Sequence, residues 1–140
     1  MIRIEIEVLP PRELSPNYSH FEHWGKKAKA KKEWQETIYY TCVDWAVRNK
    51  DKGLPYEQTK LKWTFIYRTK RKRDIDNLIA SCKCGQDCLV KAGLIVADDS
   101  EHLALVTPEI IVDKERAPRT IIELKRVRWK VEGLNNKEDK

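Results

Sequence analysis

Along the first residues of the chain, apolar side chains alternate with charged ones: Ile2, Ile4, Ile6 and Val8 against Arg3, Glu5 and Glu7. A period of two puts one set on each face of an extended backbone and predicts a half-buried strand. Pro10 and Pro11 close it, since proline cannot donate to a ladder. The run Leu14-Ser15-Pro16-Asn17-Tyr18-Ser19 is rich in turn formers and predicts a loop. The period then lengthens. Trp34, Ile38, Thr41, Cys42 and Trp45 line one face of a helix from about Trp24 to Asn49. Gly53 and Pro55 mark a loop, and Lys62-Trp63-Thr64-Phe65-Ile66-Tyr67 predicts a second strand. A second helix begins near Asp76, with Leu78, Cys82, Leu89 and Ala92 on its apolar face. Gly85 weakens its middle, where a kink is expected, and Gly93 fits a C-terminal stop.

Leu94 to Ala97 form a short apolar stretch ending in Asp98-Asp99-Ser100. A third strand covers Leu103 to Val112, interrupted by Pro108. A fourth, Arg119 to Val131, alternates without a purely apolar face, which predicts an edge or interface position. The order β-α-β-α-β-β predicts a single α/β domain of the mixed α+β kind over residues 1–131, with a small mixed sheet and two main helices. A loose polar tail, residues 132–140, follows it.

Composition narrows the partners. The 140 residues suit one domain. A formal charge of +6 favours polyanions, nucleic acid first. No run of roughly 18 apolar residues predicts a membrane span, and the N-terminus lacks the apolar core of a signal peptide. The cytoplasm is therefore expected, with Cys42, Cys82, Cys84 and Cys88 as reduced thiols. Two basic stretches stand out. Lys26, Lys27, Lys29, Lys31 and Lys32 crowd the start of the first helix, either as a solvated helix end or as phosphate contacts. Arg68-Thr69-Lys70-Arg71-Lys72-Arg73 runs directly into Asp74-Ile75-Asp76-Asn77.

Asp74 and Asp76 are two apart, and in extended chain both side chains point the same way. Two carboxylates that close resist joint ionisation unless a cation sits between them. Magnesium takes oxygen ligands and is commonly held by one or two carboxylates plus substrate phosphates. The plain structural alternative is a helix cap at Asp76 with Asp74 paired to a neighbouring arginine. Asp98 and Asp99 are further candidates, but spacing alone does not bring them back. A helix of about 16 residues runs ~24 Å, and the five residues after Gly93 reach at most ~18 Å. A kink near Gly85 would ease closure.

The stretch Arg71-Lys72-Arg73-Asp74-Ile75-Asp76-Asn77-Leu78, then Asp87-Cys88-Leu89-Val90-Lys91-Ala92-Gly93-Leu94 and Asp98-Asp99-Ser100, resembles the RusA family of Holliday-junction resolvases. The front end, Leu14-Ser15-Pro16-Asn17 and His23-Trp24 before a lysine-rich helix, resembles forms carried by phages and prophages. The resemblance spans roughly Leu14 to Leu103. It implies a homodimeric endonuclease that cuts branched DNA, above all four-way junctions, with magnesium or manganese and no small-molecule cofactor. Position by position, it implies Asp74, Asp76 and Asp99 as catalytic, metal-holding carboxylates, with Asp98 assisting as a ligand. The family's catalytic lysine lies four residues after its second aspartate; here that position is Ala80. Counting back from Asp87 instead puts Lys83 at the family spacing, two turns beyond Asp76 on the same face. The ordinary alternative for Lys83 is a surface pair with Asp87.

On this reading the metal activates a water in line with the scissile phosphate, and Lys83 adds positive charge where the transition state gains negative charge. Lys26, Lys27, Lys29, Lys70, Arg71, Lys72 and Arg73 grip phosphates without reading sequence. A zinc site on Cys82, Cys84 and Cys88 lacks a fourth ligand at a suitable spacing, His102 being isolated. His20 and His23 read as ordinary loop histidines. The rival from another class is a branched-DNA binder without catalysis, for which the aspartates would be dispensable.

Overall fold

The computed structural model describes residues 1–14, 24–50 and 53–129. The predicted loop beyond Leu14, His20, His23 and the polar tail lie outside the described residues. The elements are β1 (Ile2–Ile6), α1 (Trp24–Arg48), β2 (Thr59–Tyr67), α2 (Ile75–Lys91), β3 (Leu103–Leu105), β4 (Glu109–Val112) and β5 (Arg119–Arg126), with a 3-10 turn at Arg12–Leu14. This is one mixed α+β unit: a mixed sheet with two helices.

The sheet runs β1-β5-β2-β3, with β4 also on β2. β5 lies antiparallel between β1 and β2, whereas β3 and β4 run parallel to β2. The predicted third strand is thus two short ones on a shared edge. β3 pairs with Thr59–Leu61 and β4 with Thr64–Tyr67, and the break falls at Val106-Thr107-Pro108, where proline has no N–H for the ladder. The predicted fourth strand stops at Arg126 and is central, not an edge. Its inward residues Ile122 and Leu124 are buried in the core. Glu123 and Lys125 sit on the other face, which carries charged residues such as Glu5, Lys62 and Glu109 in β1, β2 and β4. The mixed pattern therefore reports a central strand whose second face is charged over Glu123 and Lys125 and closed at Ile121, which pairs with the buried Thr64.

The helices share the apolar face. Ile2, Ile4, Ile6, Leu61, Trp63 and Phe65 meet Trp34, Ile38, Cys42, Leu78, Cys82 and Leu89 in one core. The Trp34 indole N–H donates to the Ser81 carbonyl at 3.2 Å, and the Gln35 amide donates to the Cys84 carbonyl at 2.8 Å. Further on, Ile38 lies against Gly85, and Val43 and Ala46 share a small cavity with Ala92 and Gly93. Contacts advance along both helices together, so α1 and α2 run parallel. Their N-termini therefore lie at the same end of the molecule, the end where β2 delivers Tyr67.

Gly85 does not kink α2, which runs unbroken from Ile75 to Lys91. A Cβ there would stand 2.7 Å from Ile38 Cδ1 and 2.8 Å from Trp63 Cη2. The residue permits close approach of α1 and the sheet. Gly93, at φ +82°, ends the helix as expected. The cysteines are packing residues: Cys42, Cys82 and Cys88 are buried, and all four are free. Burial pushes the Cys42 thiol up to about 12.

Candidate nucleic-acid and metal site

The cap of α2 is Asp74, two residues before the Asp76 cap that the sequence suggested. Its backbone is extended (φ −82°, ψ 117°), and its Oδ1 accepts the Asp76 N–H at 2.9 Å. That bond satisfies one of the orphan donors of the first turn. It leaves Asp74 Oδ2 and both oxygens of Asp76 available. Both residues are exposed. Among the described residues neither carboxylate forms an ion pair, although Arg71, Lys72 and Arg73 precede them directly.

Beside Asp74 opens a cavity of about 670 Å³. Arg12, Arg71, Lys72, Arg73 and Asp74 contribute its charge, and Leu9, Pro10, Pro11, Tyr67 and Leu78 its apolar wall. Arg73 is committed locally: its guanidinium carbon stands 3.6 Å from the centre of the Tyr67 ring, and Nη1 donates to the Arg71 carbonyl at 3.1 Å. Burial raises the Tyr67 phenol, and Arg73 pulls against that rise. Lys70 is exposed in the same loop. α1 opens with Lys26 and Lys27 and has no acidic residue in its first turn. Cations there oppose the helix dipole, and a bound anion would relieve the conflict. Lys29, Lys31 and Lys32 continue the basic stretch and are exposed.

Asp98 and Asp99 lie at the other end. The Asp99 carbonyl accepts the Leu103 N–H at 2.9 Å, and the His102 carbonyl accepts the Thr59 N–H at 2.9 Å, which pins this turn to the start of β2. The span of β2 from Thr59 to Tyr67 is ~26 Å at the usual rise. The length of α2, 17 residues, gives ~25 Å independently. Within one chain the Asp74–Asp76 pair and the Asp98–Asp99 pair do not converge. Among the described residues no group of three or more His, Cys, Asp or Glu could hold a metal. The straight α2 explains why: the return stretch after Gly93 is too short to undo its length.

Asp99 is itself well ordered by its neighbours. Its Oδ1 takes the Glu101 N–H at 2.9 Å and faces His102 Nδ1 at 2.6 Å. The hydrogen bond from His102 holds the Asp99 carboxyl below the usual range, and the same bond raises the imidazole. Oδ2 remains open. Asp98 is exposed. Lys83 is exposed on the outer face of α2, and Asp87 pairs with Lys91 at 3.9 Å instead of with Lys83.

The residues that sequence reasoning passed over are Tyr67, Arg12, Asn77 and the Leu9-Pro10-Pro11 wall. Their signal was position: Leu9 to Arg12 follow β1, Tyr67 ends β2, and Asn77 lies in the first turn of α2. No helix among the described residues is long and apolar enough to cross a membrane. No protein-family model matches this chain, and no curated protein matches it.

Proposed function

We propose that this chain is a metal-dependent endonuclease of branched DNA, resolving four-way junctions by paired nicks, as its resemblance to the RusA family implies. The observation that carries the reading is the state of Asp74 and Asp76. They are exposed carboxylates two residues apart, preceded directly by Arg71, Lys72 and Arg73, yet in no ion pair among the described residues. Their free oxygens suit a hard divalent cation such as magnesium or manganese, with phosphate oxygens completing the shell. Bound there, the ion would supply an activated water and charge stabilisation. Arg71, Lys72, Lys70 and the lysines of α1 hold the phosphate backbone on either side, and the cap bond from Asp76 N–H fixes the orientation of Asp74.

One chain supplies only the first pair of carboxylates. A homodimer supplies the second if the Asp98–Asp99 turn of one copy meets the start of α2 in the other. Twofold symmetry then generates two equal sites, as paired nicking of two strands requires. Lys83, exposed along the outer face of α2, is the cation for the leaving side in this arrangement. Free thiols suit the reducing cytoplasm of a bacterial host, with a phage or prophage as source.

The test is incubation of the purified protein with a synthetic four-way junction and with linear duplex, each with magnesium or with a chelator. Metal-dependent paired nicks near the crossover are expected. Tight junction binding with no cleavage under any divalent ion would replace this reading with the non-catalytic binder.

A further inference from the structure

The cavity beside Asp74 has a half that gripping a phosphate does not need. Its charged rim is exposed: Arg71, Lys72 and Asp74. Its floor is not, since Leu78 is 7% and Ser81 3% exposed. Tyr67, Leu9 and Pro10 are half-buried around it. Phosphate binding calls for donors and positive charge, whereas this floor and wall are suited to a flat, partly apolar group. The volume, about 670 Å³, falls within the ordinary range for small-ligand sites.

We infer that the cavity receives one unpaired nucleotide base from the branch point of the DNA, stacked on the Tyr67–Arg73 pair. The inference rests on the branched-DNA reading above for its substrate. Three features carry it. The Arg73 guanidinium lies over the Tyr67 ring at 3.6 Å and is tethered by its bonds to the Arg71 carbonyl and to Thr69 Oγ1, at 3.1 and 3.5 Å. The cation is thus held over the ring face, and unpaired bases stack readily on arginine planes and aromatic rings. Next, Asn77 is half-buried in the lining, and its side-chain amide has no partner among the described residues. A carboxamide offers one donor and one acceptor side by side, which suits a base edge. Finally, Asp74 caps α2 three residues before Asn77. A base seated at Asn77 would place its own phosphates beside the carboxylates.

A paired base in continuous duplex cannot enter such a site without the cost of unstacking, which is lowest where pairing is already interrupted. The cavity therefore gives a physical origin for a preference for branched over linear DNA. That preference would come from which nucleotide can leave the stack, not from its sequence.

The experiment is photo-cross-linking of the full chain to four-way junctions carrying a single 5-iodouracil, in chelator so that the DNA stays intact. With the label at the branch point, cross-links are expected within residues 67–77, at several times the yield of a label well inside an arm. Equal yields from both placements, adducts mapped elsewhere, or no adduct at all would overturn the inference. Asn77→Ala gives a second measurement free of photochemistry. It is expected to lower the ratio of junction to linear-duplex affinity by about tenfold, on the scale of one lost base contact; an unchanged ratio contradicts the pocket. Cleavage in magnesium by the same preparation separates the two claims. Junction cutting without branch-point adducts sinks the pocket alone, and branch-point adducts without cutting sink the nuclease alone.

Discussion

The backbone N–H of Asp76 donates to Oδ1 of Asp74 at 2.9 Å, so one member of the acidic pair holds the main chain of the other. The bond separates two roles that a substitution can test apart. Asparagine caps a helix about as well as aspartate, whereas alanine loses the cap. Asp74→Asn should therefore change the unfolding free energy by less than about 1 kcal/mol and Asp74→Ala should cost about 1–2 kcal/mol, as read from urea melts. Both should abolish metal-dependent cleavage. If Asp74→Asn cuts a junction as fast as the parent, Asp74 is a cap only.

Much of this arrangement was legible in the sequence, and the failures have physical causes. β1 and the apolar face of α1 were readable because each buries one face, which imprints a clean period on Ile2, Ile4 and Ile6 or on Trp34, Ile38 and Cys42. β5 misled because a partly charged outer face and an edge leave the same mixed pattern; only the pairing with both β1 and β2 distinguishes them. Gly85 misled because helix propensity is local, whereas the demand for hydrogen in place of a side chain comes from Ile38 and Trp63, distant in the chain. The acidic pair and basic run were visible as neighbours. Tyr67 as a partner of Arg73 was not, because the five intervening residues of irregular backbone decide whether they meet.

Gly85 supplies its own prediction. Alanine would gain about 0.5–1 kcal/mol of helix propensity but would crowd the rigid Trp63 ring and the Ile38 methyl, at a typical overpacking cost of about 1–3 kcal/mol. Gly85→Ala should thus destabilise by about 1–2 kcal/mol net in chemical melts. Ile38→Val removes Cδ1, so the double variant should lose less than the sum of the two single losses. Strict additivity would show that the close approach is not limiting.

The buried thiols predict alkaline behaviour. Burial raises Cys42 to about 12 from an ordinary 9.0, and Cys82 is raised by the same cause. A group whose proton is held more tightly in the folded state stabilises fully below its unfolded value and loses that contribution as pH rises toward the folded one. Stability should decline from about pH 9 toward 12, beyond what tyrosine and lysine titration explains, and Cys42→Ser or Cys82→Ala should flatten that limb. At pH 8, mass spectrometry after brief alkylation should find Cys42 and Cys82 unmodified in native protein and modified in urea.

Phosphate contacts should register in the salt dependence of DNA binding. Lys72 lies on the cavity rim and forms no ion pair among the described residues. If it neutralises one phosphate, Lys72→Ala should reduce the slope of log affinity against log salt by about 0.9, equally for junction and duplex. Binding isotherms at four salt concentrations measure it. A parallel line displaced downwards would mean that Lys72 acts without releasing a counterion.

The separation of Asp74 from Asp99 within one chain makes subunit complementation decisive. Suppose that each site combines the start of α2 from one protomer with the Asp98–Asp99 turn of its partner. In a mixed dimer of Asp74→Asn and Asp99→Asn chains, one site then collects both altered residues and the other collects none. Each variant alone should be inactive, whereas the mixture, after subunit exchange, should nick one strand of a four-way junction and leave its symmetric counterpart intact. If instead Asp99 served a site in its own chain, every site in the mixture would carry one lesion and no activity would return. The ~25 Å set by the unbroken α2 makes the first outcome the expected one. A dead mixture from proven heterodimers would rule out a site shared between subunits, whereas full activity of Asp99→Asn alone would remove Asp99 from the metal site altogether and leave Asp74 and Asp76 to bind the ion with phosphate and water alone.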